Sequence, residues 1–61
     1  MKMNYEMLIN KDNASAAAKA GARMINEASA KDVDWDAVLV ELRAAVKYAN
    51  RARTIQRREF N

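Results

Sequence analysis

Hydrophobic positions along the chain fall into three patterns. From Trp35 to Ala49 they recur at helical spacing: Trp35, Val38, Leu39, Leu42, Ala45, Val46 and Ala49 share one stripe. From Ala14 to Ala28 they recur again as Ala14, Ala17, Ala18, Gly21, Met24, Ile25 and Ala28. This second face consists of small side chains until Met24. Before it, Met1, Met3, Tyr5, Met7 and Ile9 alternate with Lys2, Asn4 and Glu6, the period of a half-buried strand.

These patterns predict an all-α hairpin with helices at about 13–30 and 34–58 and an extended or strand-like arm over residues 1–11. The arm has no second strand in the chain to pair with, so a strand there needs another subunit or partner. Asp12 or Asn13 is the expected cap of the first helix, and Asp34, with Asp32 as the alternative, that of the second. Val33 and Val38 flank Asp34 as a hydrophobic staple. The short connection at Ser29 to Asp34 makes the helices antiparallel neighbours. Bulky residues of the second helix are expected to pack on the small-residue face of the first. Gly21 costs up to about 1 kcal/mol of helix propensity against Ala, which close backbone contact would explain.

The second helix carries another stripe: Ala37, Val40, Ala44, Tyr48 and Ile55. One neighbouring helix covers one face, so this stripe is expected to be outward. Val40, Ala44, Tyr48, Arg51 and Ile55 are therefore the candidate protein interface. The second helix is also expected to overshoot the first, its core stripe running on through Arg53, Gln56, Arg57 and Phe60.

Length and composition sharpen this picture. Sixty-one residues form one small domain, here the arm, a helical hairpin at 12–58 and a short C-terminal tail. A chain of this size buries only about 60% of its unfolded surface, so its core alone is marginal. With no cysteine and no histidine, neither a disulfide nor an ordinary zinc site compensates. A coiled-coil-like homodimer or a larger protein partner is the expected remedy. No proline and a single glycine in an alanine-rich chain favour helix throughout. No run of apolar residues reaches the length of a membrane span, and no signal peptide is evident. A cytoplasmic protein without a transmembrane segment is the expectation.

Charge is divided unevenly. The net charge is +3, but residues 1–42 carry five basic and seven acidic side chains, whereas 43–61 carry six basic and one acidic. Asp32, Asp34 and Asp36 at a helix start, with Arg57 and Arg58 near its end, suit the helix dipole. Arg43, Lys47, Arg51 and Arg53 lie too far from the end for that account. Together with Arg57 and Arg58 they form a candidate nucleic-acid-binding set, with Asn50, Thr54 and Gln56 between them. The order arm–helix–helix permits a ribbon-helix-helix arrangement, although the arm face available to DNA would be Lys2, Asn4, Glu6 and Leu8, including one acid.

Catalytic chemistry finds no support. There is no histidine base, no cysteine nucleophile and no glycine-rich phosphate loop. The three aspartates at 32, 34 and 36 lack the glycine and glutamate of a calcium loop. No enzyme, cofactor or metal is expected. Two functions remain: a non-catalytic interaction module (adaptor, inhibitor or assembly subunit) binding through the outer face of the second helix, and a nucleic-acid-binding protein or small transcriptional regulator using its basic end.

Overall fold

A computed structural model describes residues 4–60. Two helices make up the fold, α1 over Tyr5–Glu27 and α2 over Trp35–Phe60. The residues between them form the turn. The hairpin is a rod with principal extents of 48 × 15 × 13 Å. Among the described residues there is no strand, and no helix is long and apolar enough to cross a membrane.

The expected extended arm is corrected from Tyr5 onward, while Met1, Lys2 and Met3 lie outside the described residues. Asn4 caps α1: its side-chain oxygen accepts from the Met7 amide at 3.1 Å, and its carbonyl accepts from Leu8 at 3.2 Å. Asp12 and Asn13 therefore sit inside the helix and cap nothing. A helical start places Asn10, a polar side chain, on the otherwise largely apolar inner stripe. The structure accommodates it because Asn10 is only half-buried and its amide donates to the Glu6 carbonyl at 2.8 Å, one turn back.

The second helix starts as its sequence implies. Asp34 accepts from the Ala37 amide at 3.1 Å through its side chain, and from Val38 at 3.0 Å through its carbonyl. Before it, Ser29 donates from its hydroxyl to the Asp32 carboxylate at 2.6 Å, and the Asp32 amide donates to the Ser29 carbonyl at 2.9 Å. These bonds close the reversal, and Val38 behind the cap is the most enclosed side chain among the described residues, 1% exposed.

Extending α1 back to Tyr5 changes how the helices match. At 1.5 Å per residue, 23 residues span about 34 Å and 26 span about 39 Å. The expected overshoot of α2 is thus largely absent. Arg58 near its end reaches Glu6 in the first turn of α1, with the charged atoms 3.9 Å apart.

The inner seam follows a seven-residue repeat on both helices. On α1, Met7, Asn10, Ala14, Ala17, Gly21 and Met24, followed by Ala28 just past its end, are all buried or half-buried. On α2 the corresponding residues are Val38, Glu41, Ala45, Tyr48, Ala52 and Ile55. Steps of three and four are the spacing of a two-helix coiled coil. This seam turns α2 partway from its expected facing: Val38 and Ala45 stay inward and Val40 outward, as expected. Tyr48 and Ile55, expected outward, lie against α1, whereas Trp35, Leu39, Leu42 and Val46, expected in the core, are 55%, 40%, 36% and 60% exposed. The physical reason is close approach. Alanine and glycine occupy the centre of the α1 seam, so Leu42 can cross over Gly21 from the edge, while Ala45 and Ala52 lie half-buried on the α2 seam. The larger side chains stand at its margin.

Candidate functional site

Three surfaces remain available on this rod: an apolar margin, a basic ridge and a polar groove.

The apolar margin is built around Gly21. A Cβ added there would lie 2.8 Å from Leu42 Cδ2, 3.2 Å from Leu42 Cγ and 3.7 Å from Glu41 Cβ. Leu42 thus crosses over the α1 backbone where no side chain obstructs it, which is the close contact expected for this glycine. Leu42 still keeps 36% of its surface in solvent. From it the margin runs along α2 in steps of four, three and four, through Trp35, Leu39, Leu42 and Val46. Ala14, Ala18 and Ile25 share the stripe of Gly21 on α1 and continue the apolar surface across the hairpin. Asp36 and Arg43, each one residue on from a margin residue, form its outer edge, and both are exposed.

The basic ridge runs along the exposed side of α2, and its Asn50 and Thr54 also border the polar groove. Arg43, Lys47, Asn50, Thr54 and Arg57 follow the same four-three spacing and are all exposed. Thr54 returns its hydroxyl to the Asn50 carbonyl at 3.0 Å. The other expected nucleic-acid contacts are also exposed, but they are differently placed. Arg53 continues the apolar margin toward the C-terminus. The Arg51 guanidinium sits 5.9 Å from the centre of the Tyr48 ring, within cation–π range. Arg58 divides its guanidinium between Glu6 and Glu59, at 3.9 and 3.6 Å.

The polar groove lies where the two helices meet toward the α2 C-terminus. Glu6, Asn10, Asn50, Arg51, Thr54, Ile55 and Arg58 line it. Glu6 and Arg58 pair at 3.9 Å within this groove, where two arginines stand against one glutamate.

The residues expected as a protein interface are therefore divided. Val40 is 62% exposed and Arg51 is exposed, whereas Ala44 and Tyr48 are half-buried and Ile55 is 6% exposed. They do not form one open face. Trp35, Leu39, Leu42 and Val46 form the bulkier apolar stripe, which is why side-chain size points to them as core although they are exposed. The signal pointing the other way is the three-four repeat of Val38, Ala45, Tyr48, Ala52 and Ile55 on α2, which matches the repeat of small residues on α1.

Comparisons with protein-family models, characterised proteins and solved structures found no match for the chain. Its surface chemistry therefore carries the functional argument.

Proposed function

We propose that the protein is a non-catalytic interaction module that presents the apolar margin of α2 to another protein chain. One observation carries this reading: four large apolar side chains, Trp35, Leu39, Leu42 and Val46, stand exposed in register on one stripe. Isolated exposed hydrophobic residues are ordinary, but a contiguous stripe bordered by charge is the anatomy of a contact surface. Trp35 has the size and ring chemistry of an interface anchor. The lack of histidine and cysteine supports a binding role over catalysis. Adaptor, inhibitor and assembly-subunit roles all use this surface.

Site-specific photo-crosslinking in cells tests it. A photoreactive residue at Val46 is expected to capture protein, whereas one at exposed Ser15 on α1 is not. Equal capture at both positions, or none at either, would overturn this reading.

A second reading, nucleic-acid binding, draws on the uninterrupted exposure of Arg43, Lys47, Asn50, Thr54 and Arg57 along one ridge. Phosphate contacts by such a ridge weaken steeply with salt. Duplex affinity that falls with added salt, and is lost in Lys47→Ala/Arg57→Ala, supports this role. Undetectable duplex binding at low salt removes it.

A further inference from the structure

Resting on the interaction reading above, we infer that the apolar margin of α2 binds the same margin of a second copy of this chain. The two α2 helices run antiparallel, and the two hairpins form a four-helix assembly. Spacing, charge and the size of the core each support this occupant.

The spacing is self-complementary. In an antiparallel pair, Leu39 of one copy lies against Leu42 of the other, and Trp35 lies against Val46. Each contact occurs twice about the two-fold axis, as an isologous interface requires. All four exposed residues then find an apolar partner, while the basic C-terminal half of each α2 extends beyond the paired region.

The charge at the edge fits the same register. Asp36 and Arg43 are seven residues apart on the side of the stripe away from α1. Pairing Leu39 with Leu42 sets Asp36 of each copy beside Arg43 of the other. Neither residue makes an ion pair with another described residue of its own chain. A parallel pairing in register would instead place Asp36 level with Asp36, and Arg43 with Arg43.

The core also calls for added burial. Ala17, Val38 and Ile55 are the buried hydrophobic side chains among the described residues, with no disulfide to supplement them. So small a core gains most from covering its exposed leucines and tryptophan with another apolar surface.

Charge exchange tests both occupant and register. Wild-type chain should sediment as a dimer at micromolar concentration. Asp36→Lys sets a lysine against Arg43 of the other copy, and Arg43→Glu sets a glutamate against Asp36. Each variant alone should dimerise at least tenfold more weakly. An equimolar mixture should recover wild-type affinity as a heterodimer, because both edge pairs are then free of opposition: lysine faces glutamate at one edge, and Asp36 faces Arg43 at the other. Circular dichroism of each variant should retain its helical signal, which separates lost pairing from lost folding. Trp35, the only tryptophan, should shift its emission to shorter wavelength as wild-type dimer forms.

Wild-type chain that stays monomeric at hundreds of micromolar overturns the inference, as does a mixture no tighter than its separate components. A monomer that still crosslinks from Val46 to a different protein would reject the second copy and leave the interaction reading standing. A monomer with no crosslink would reject both.

Discussion

Gly21 and Leu42 show how one missing side chain sets a local geometry. Replacing Gly21 with alanine gains about 1 kcal/mol of helix propensity. The new methyl would sit 2.8 Å from Leu42 Cδ2, so the leucine must leave its rotamer, at a cost of about 1 kcal/mol. Gly21→Ala alone should therefore change stability by less than about 0.5 kcal/mol in urea unfolding. In a Leu42→Ala background the same change should stabilise by about 1 kcal/mol, and that difference is the coupling between two touching residues. Equal effects in both backgrounds would mean that Leu42 does not cross the glycine. At the turn, Asp34→Ala removes the side-chain bond to Ala37 and should cost about 1 kcal/mol. Breaking Glu6–Arg58 should cost only a few tenths of a kcal/mol, because both side chains are mostly in solvent.

At the scale of the helix, rotation decides which side chains are core and which are surface. Ile55 is enclosed and Val40 is open, so Ile55→Asp should strongly reduce helical content while Val40→Asp should leave the thermal unfolding curve nearly unchanged. Equally mild effects of both changes would restore the facing expected from side-chain bulk, in which both residues point outward. Much of the hairpin was legible in the chain: two helices, a turn near Ser29, the Asp34 cap and the close approach at Gly21 all follow from short-range chemistry. The facing of α2 was not, because the helix carries two apolar stripes and periodicity alone cannot say which one a neighbour covers. The decisive information lies on the other helix, whose alanine and glycine seam admits the close approach seen between Gly21 and Leu42. The beginning of α1 was obscured for a different reason. Met7 and Ile9 satisfy strand alternation, and over so few residues that alternation competes with the helix signal until the Asn4 cap and the Asn10–Glu6 bond are visible. With α1 begun at Tyr5, Ile55 gains cover and the expected interface at Val40, Ala44, Tyr48, Arg51 and Ile55 divides.

For the whole molecule, folding and association draw on the same few apolar side chains. The hairpin encloses little of its hydrophobic surface and leaves Trp35 and Val46 more than half exposed, so a monomer has little stability in reserve. Covering that surface adds free energy that depends on chain concentration, since a partner that binds only the folded state shifts unfolding by mass action. The melting temperature of the wild-type chain should therefore rise by several degrees when its concentration is raised a hundredfold. Leu39→Lys/Val46→Lys changes two exposed margin residues without touching Ala17, Val38 or Ile55. Its melting temperature should be lower than that of the wild type and independent of concentration, with helical circular dichroism retained in the cold. A wild-type melting temperature that does not move with concentration would mean that the hairpin stands alone. The inner seam of alanines, Val38, Tyr48 and Ile55 would then be sufficient for folding, and the exposed margin would have no part in stability.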